Sequence, residues 1–294
     1  MTLRHLKIFT EVYQNQSMSI AAQNLYMTQP SVSQAIKELE THYHAILFER
    51  LSKKLYITED GKKLYQYARQ IIDLSEQAEN EFSQENKTQT LHIGVNYTVG
   101  LSMIHTFLHE FKKQKPDVEV HICVNKASMI KDMLRTSQLD LALLESSGSE
   151  KDFIQKAFAD DRIVLVATPE HPLANSANVT AARLSKEHFL TREKGVGARE
   201  LFEKMMLASG YPITPYWESI SVTALLNAVY EGEGIAVLPY ESVKHLLQEG
   251  KLVEISIQGL NLSRQLVIMY HKNKQFTPEF NSFIQCCLNT SLDS

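Results

Sequence analysis

Apolar residues recur at every third position at the start of the chain: Leu3, Leu6, Phe9 and Val12, with Tyr13 beside Val12. That stripe predicts a first helix, which Gln14-Asn15-Gln16 ends. A second, short helix is expected through Ala21, Ala22 and Leu25, capped by Ser17 or Ser19. Its two alanines leave room for another helix to cross closely. Thr28 suits the N-cap of a third helix, and Pro30 costs nothing in a first turn. Val32, Ile36 and Leu39 give that helix its buried face, while Gln29, Ser31, Ser33, Gln34 and Lys37 occupy the opposite one. Residues 47–58 read as a two-stranded wing with Arg50, Lys53 and Lys54 near its turn. Leu64, Tyr67/Ala68, Ile71, Leu74/Ser75, Ala78 and Phe82 then fall near a seven-residue repeat, a seam that wants a partner helix. The other reading of that seam is packing against the chain's own head. The polar run 81–90 is a natural hinge.

Beyond it the pattern changes to short, nearly continuous apolar strands alternating with helices. Leu91–Val95, Val118–Val124 and Asp140–Leu144 read as strands, with helices through about Gln114 and over Ala127–Thr136 between them. Arg162–Ala167 starts a second set, in which a strand over 235–238 and a helix over 240–248 follow. Leu266–Tyr270 returns to the first set. Alternation of this kind predicts parallel sheet covered on both faces.

Composition leaves this picture standing. The chain has 294 residues, 44% hydrophobic and 22% charged, enough for two or three compact units with real cores. The net charge of −4 excludes a uniformly basic nucleic-acid binder, but the charge is uneven. Residues 1–58 carry six basic and four acidic residues, +2, and the remaining 24 basic and 30 acidic residues give −6. Cys123, Cys286 and Cys287 form no C-x-x-C pair, which fits a reduced, cytoplasmic chain. The segment MTLRHLKIF lacks the apolar run of a signal peptide, and no stretch reaches the length of a membrane span.

The third helix offers amides and hydroxyls where an exposed helix normally carries charge. Those groups read base edges in the major groove, and two short helices with the second polar at its N-terminus form the helix-turn-helix pattern. A solvated basic hairpin on any small helical domain is the plainer alternative. The sequence A-A-x-x-L-x-x-T-Q-P-S-V-S-x-x-I-x-x-L-E, followed by L-F-x-R and T-x-x-G, resembles the head of the LysR-type transcriptional regulators. Here it comprises Ala21, Ala22, Leu25, Thr28 to Ser33, Ile36, Leu39, Glu40, Leu47, Phe48, Arg50, Thr58 and Gly61. Two departures stand out: Gln34 replaces the arginine of many members, and His44 replaces the glycine that usually ends the third helix.

The resemblance implies an α/β protein with a winged helix-turn-helix at 1–60 and a linker and dimerisation helix with its hinge at 61–90. An effector-binding body would occupy 91–294. That body would hold two Rossmann-like subdomains as in type II periplasmic binding proteins, subdomain I at 91–162 plus 268–294 and subdomain II at 163–267. It further implies a homodimer or homotetramer on a partly palindromic double-stranded operator, no membrane association, no cofactor and no enzymatic activity. The DNA-contact set is Thr28, Gln29, Pro30, Ser31, Ser33, Gln34, Lys37, Arg50, Lys53 and Lys54.

Ligands of such sheets bind beyond the carboxyl ends of strands. That rule nominates 96–102 after the first strand, with Tyr97, Thr98, Val99 and Gly100, then 125–128 after the second, with Ser128, and 145–147 after the third, with Glu145. In the second subdomain it nominates Arg192, Gly195, Val196, Gly197 and Arg199, with Ser221 and Val222 before an apolar helix. Gly195-Val196-Gly197 opening a helix, with two arginines nearby, suits an anion, although Arg192 and Arg199 have Glu193, Glu200 and Glu203 at hand as partners. The run 192–200 with Thr98-Val99-Gly100 and Glu145 resembles the subgroup tied to sulfur assimilation and sulfite sensing. That subgroup carries hydroxyls where this chain has Val196 and Ala198. His105 and His109 share a metal-compatible spacing without a glutamate between them at the place a metalloprotease needs, so no metal site is expected. A solute-binding receptor without DNA function is the alternative that the body alone would permit.

Overall fold

The computed structural model describes residues 1–51, 54–82, 89–146, 148–176, 179–259 and 261–290. The head is built from α1 (Leu3–Asn15), α2 (Met18–Asn24) and α3 (Gln29–Tyr43), followed by a hairpin of β1 (Phe48–Leu51) and β2 (Lys54–Ile57) and by α4 (Glu59–Phe82). The caps form as their chemistry requires. Ser17 Oγ accepts from Ile20 N at 3.3 Å, and Thr28 Oγ1 accepts from Ser31 N at 3.3 Å. His44 closes α3 in the left-handed region at φ 51°.

Leu6, Phe9, Val12, Ala21, Ala22, Val32, Ile36 and Leu39 form one core with Leu47 and Phe48 of the wing. The seam expected along α4 divides. Leu64, Tyr65, Ala68 and Ile72 bury themselves in this head core, and Tyr65 stacks on Tyr13 with ring centroids 3.6 Å apart. Tyr67, Ile71, Leu74 and Phe82 stay exposed. The seven-residue pattern therefore merged two stripes, an inner one for the head and an outer one open to a partner.

Two compact units result: residues 1–88 with 133–138, and residues 89–132 with 139–294. The larger unit begins with β3 (Thr90–Val95), α5 (Tyr97–Ser102), α6 (Ile104–Gln114), β4 (Glu119–Val124), α7 (Ala127–Arg135) and β5 (Leu141–Glu145). The long strand β6 (Phe153–Ala167) leads into α8 (Ala181–Leu184), β7 (Phe189–Arg192), α9 (Gly197–Ala208), β8 (Trp217–Ser219), α10 (Val222–Tyr230) and β9 (Ile235–Pro239). After α11 (Lys244–Gln248) and β10 (Val253–Glu254), β11 (Ser263–His271) and α12 (Pro278–Asn289) complete the unit. The strands pair in the order β4-β3-β5-β11-β6-β9-β7-β8, with β10 on β6.

Three expectations need correction. The helix after β3 is broken at Met103 into α5 and α6. β6 starts at Phe153, well before the apolar run, because residues 153–162 are held by backbone pairing to β11 and carry no continuous apolar signal. The sheet is mixed. β3 pairs in parallel with β4 and β5, and β7 with β8 and β9, but β6 and β11 run antiparallel to their neighbours. These are the two strands on which the chain crosses between the lobes, so each enters its new lobe in the reverse sense.

β6 shows how the crossing is buried. Up to Arg162 it pairs with β11, and from Ile163 it pairs with β9. Ile163, Leu165 and Ala167 feed one core, while Val164 and Val166 feed the core on the opposite face. A two-residue period with both faces covered explains an unbroken apolar run. The first lobe packs a third core, in which Ile93, Val95, Phe107, Phe111, Leu141, Ile268 and Phe283 meet. Among the described residues no helix is long and apolar enough to cross a membrane, and no group of three or more His, Cys, Asp or Glu side chains could hold a metal.

Candidate functional site

The polar surface that the sequence marks for DNA lies at the N-terminus of α3. Gln29, Pro30, Ser31, Gln34 and Lys37 are exposed and Ser33 is half-buried, whereas Val32, Ala35, Ile36 and Leu39 face the core. Thr28 and Ser31 are tied to each other, with their hydroxyl oxygens 2.8 Å apart. Gln34 donates from Nε2 to Glu38 Oε1 at 2.9 Å, which orients its amide along the helix. The hydrogen bond from Gln34, with one from His5, holds the Glu38 carboxyl below its usual range. Arg50 and Lys54 are exposed on the two wing strands, and Lys53 lies outside the described residues.

Two residues of the motif acquire roles that the pattern did not reveal. Glu40 Oε1 accepts from Leu47 N at 2.9 Å and Phe48 N at 3.3 Å, anchoring the wing to the back of α3. Thr58 Oγ1 donates to Ile46 O at 2.6 Å and accepts from Gly61 N at 3.0 Å, so the hydroxyl both closes the wing and caps α4.

In the larger unit, side chains from both lobes converge on the crossing strands. Arg264 of β11 stands opposite Asp161 of β6 in register. Its Nε donates to Asp161 Oδ2 at 2.8 Å, and its Nη2 lies 2.7 Å from the same oxygen. The same Nη2 donates to Thr98 Oγ1 at 3.2 Å, and Nη1 lies 3.8 Å from Glu145 Oε1. Asn96 caps α5 by accepting from Val99 N at 2.9 Å and donates to Glu145 Oε2. Gly197 opens α9 against this group: a Cβ there would stand 2.5 Å from both Arg264 Nη1 and Glu145 Oε1. Burial raises the Asp161 carboxyl above its usual range, opposed by Arg264 and reinforced by Glu145 and Glu241.

A second cluster shares α5 with the first and adds the end of β7 and the residue before α7. Arg192 stacks over the Tyr97 ring at 4.5 Å and donates from Nε to Glu193 Oε2 at 3.0 Å. Lys126 Nζ reaches across to Glu193 Oε1 at 3.4 Å and donates to Lys194 O at 3.2 Å. Burial would raise the Glu193 carboxyl, but the hydrogen bond from Arg192 and the charges of Arg192 and Lys126 hold it below its usual range.

Of the sequence-derived set, Tyr97, Thr98, Glu145, Arg192, Gly195 and Gly197 belong to these contacts, with Val196 between the two glycines. Four nominated residues are turned elsewhere. Val99 is fully buried in the first-lobe core, and its N–H is taken by Asn96. Gly100 packs tightly beside Val124 and Val95. Arg199, only 3% exposed, spends its donors on Glu203, Glu218 and the Arg192 carbonyl. Ser221 accepts from Ala224 N and caps α10. Ser128 is exposed and Val222 half-buried, and neither belongs to the two clusters. The sequence reading missed Asp161 and Arg264. Asn96 and Lys126 lie inside the nominated segments 96–102 and 125–128, but the Asp161–Arg264 pair bridges 103 positions and leaves no local signal.

The family described as LysR substrate binding domain matches residues 84–291. The family described as bacterial regulatory helix-turn-helix protein, lysR family, matches residues 3–62. The chain is 29% identical over 290 residues to the RuBisCO operon transcriptional regulator of Allochromatium vinosum, covering 98% of this chain and 96% of that one. It is 27% identical over 281 residues to the HTH-type transcriptional regulator CysL of Bacillus subtilis (strain 168), covering 95% and 94%. Among solved structures, a full-length OxyR variant from Pseudomonas aeruginosa superposes with a TM-score of 0.72 at 22% identity, covering 99% and 96%. The Synechocystis PCC6803 CcmR regulatory domain in complex with 2-PG gives a TM-score of 0.63 at 24% identity, covering 68% and 96%. At such identities the structural likeness is one of fold.

Proposed function

The chain belongs to the LysR family of DNA-binding transcription regulators, and from that premise we propose that a small-molecule effector, held between the two lobes of its body, controls how its head engages an operator. The relatives are named as regulators, and the helix-turn-helix match removes the receptor reading that the body alone would permit. In this reading Gln29, Ser31, Ser33, Gln34 and Lys37 face base edges, Thr28 and Pro30 set the entry of α3, and Arg50, Lys53 and Lys54 hold phosphates. The exposed stripe Tyr67, Ile71, Leu74 and Phe82 supports pairing of two chains through α4. The protein works in the cytoplasm, where its DNA is.

One observation carries the effector reading. Buried Asp161 pairs with Arg264 on the crossing strands, and Arg264, largely buried, reaches Thr98 and Glu145 of the first lobe, while Gly197 of the second lobe stands against Arg264 and Glu145. A ligand inserted there changes the packing on which the angle between lobes depends, and so shifts a population rather than building a new state. The division into 91–162 plus 268–294 and 163–267 is supported by β6, whose pairing partner changes between Arg162 and Ile163. A sulfur oxyanion is the narrower reading. The resemblance of segment 192–200 supports it, whereas Val196 and buried Ala198 offer no hydroxyl to such a ligand.

The head is tested by gel shift with DNA from upstream of the gene. Gln29→Ala with Ser33→Ala is expected to erase preference among sequences. Arg50→Ala and Lys54→Ala are expected to weaken binding to all sequences alike and to reduce the salt slope by about 1 per lost phosphate contact. Unchanged preference in the first variant would remove the recognition-helix assignment.

A further inference from the structure

The two charge clusters of the proposed effector site are each one unit away from neutrality, and with opposite sign. In the inner cluster a single guanidinium, Arg264, faces two carboxylates, Asp161 and Glu145. In the outer one two cations, Arg192 and Lys126, share a single carboxylate, Glu193. The inner cluster is also incomplete in its hydrogen bonds. Asp161 Oδ1 and Arg264 Nη1 are both buried with no hydrogen-bond partner among the described residues. An orphaned carboxylate oxygen wants a donor, and an orphaned guanidinium N–H wants an acceptor.

The clusters are close enough for one small molecule to meet both. Tyr97 carries the Arg192 guanidinium on its ring, and its neighbour Thr98 accepts from Arg264. From the second lobe a Cβ at Gly195 would face Lys126, and one at Gly197 would face Arg264 and Glu145. Two residues of extended chain span at most roughly 7 Å. Arg199 adds nothing to the outer charge, because Glu203 and Glu218 already occupy it.

We propose that these two clusters together take a short zwitterion, a molecule of the amino-acid class, with its ammonium beside Asp161 and Glu145 and its carboxylate toward Arg264 Nη1, Arg192 and Lys126. The proposal rests on reading the two clusters as the effector site. A simple oxyanion would suit the outer cations but would bring a further negative charge against two carboxylates. A plain amine would suit the inner pair and leave the outer cations unanswered. Only a ligand with both groups corrects both imbalances and closes both orphaned atoms.

The test uses the full chain in thermal-shift and calorimetric titrations with the twenty standard L-amino acids one by one. Acetate, ethylamine, sulfite and sulfate serve as single-charge controls. At least one amino acid is expected to raise Tm and to bind at least tenfold more tightly than any control. Glu145→Gln and Arg192→Gln should each weaken that amino acid tenfold or more. Should Arg192→Gln fail to fold, Lys126→Ala, whose side chain is partly exposed, probes the same outer cluster. If the anions alone stabilise the chain and Arg192→Gln abolishes the effect, the zwitterion is wrong and the effector-site reading stands. If an amino acid binds but no substitution in either cluster changes its affinity, the ligand sits elsewhere and both fail. Absence of a shift from every amino acid also overturns the proposal.

Discussion

At the scale of single residues, the head is fixed by close approaches that tolerate little change. Gly61 is the sharpest case. A Cβ there would stand 2.3 Å from Ile57 Cδ1 and 2.4 Å from the Leu47 carbonyl oxygen, and the carbonyl belongs to backbone that cannot swing aside. Gly61→Ala is therefore expected to destabilise the head by about 1–3 kcal/mol in urea unfolding, as overpacked cores do. His44 is the opposite case. It holds φ at 51°, a conformation that costs a side chain about 1 kcal/mol, so His44→Gly should raise stability by up to that amount. Asp161 adds a pH signature. Its folded pKa is raised, so the folded state binds that proton more tightly than the unfolded one, and the resulting contribution is lost as pH rises from about 4 through the raised value. Asp161→Asn cannot titrate. The stability of the natural chain relative to that variant should fall with pH across this window, by no more than about 1.4 kcal/mol per pH unit. A flat or rising difference would show that Arg264 fully offsets burial.

At the scale of elements, local chemistry was legible and pairing was not. Thr28, Pro30 and the Val32-Ile36-Leu39 face predicted α3 to within its own cap, because capping and a 3.6-residue period are properties of neighbouring residues. The strand pattern likewise exposed β3, β5 and β9, whose apolar runs are buried on both faces. The first half of β6 was invisible, since Ile154 to Asp160 become a strand only through their bonds to β11 far along the chain. The same non-local pairing hid Asp161 and Arg264, and with them the middle of the inner charge cluster. On α4 the period was read correctly but assigned to one surface where two exist. Ile71 and Leu74 belong to the exposed stripe, and Leu64 and Ala68 to the head core. This separates two effects. Ile71→Asp should leave the unfolding free energy of the head within about 0.5 kcal/mol, because the site is exposed, yet lower the mass seen by light scattering at micromolar concentration. Ala68→Asp should instead unfold the head, through burial of an unpaired charge.

At the scale of the whole molecule, regulation is a coupling between two sites, and coupling has a consequence that no single contact can mimic. If an effector in the cleft changes the affinity of the head for operator DNA by some factor, the operator must change the affinity for the effector by the same factor. Such couplings commonly amount to about 5- to 150-fold. Titrating an effector into the free chain and into the chain saturated with operator should give two dissociation constants. Their ratio should equal the ratio of operator affinities measured with and without effector. Gly197→Ala sharpens the comparison, because its new methyl group must displace the flexible ends of Arg264 and Glu145 while leaving the helix-turn-helix untouched. That variant should alter the coupling ratio while its sequence preference on DNA stays that of the natural chain. Equal effector affinities with and without operator would mean that the cleft and the head are uncoupled, however tightly each binds its own ligand.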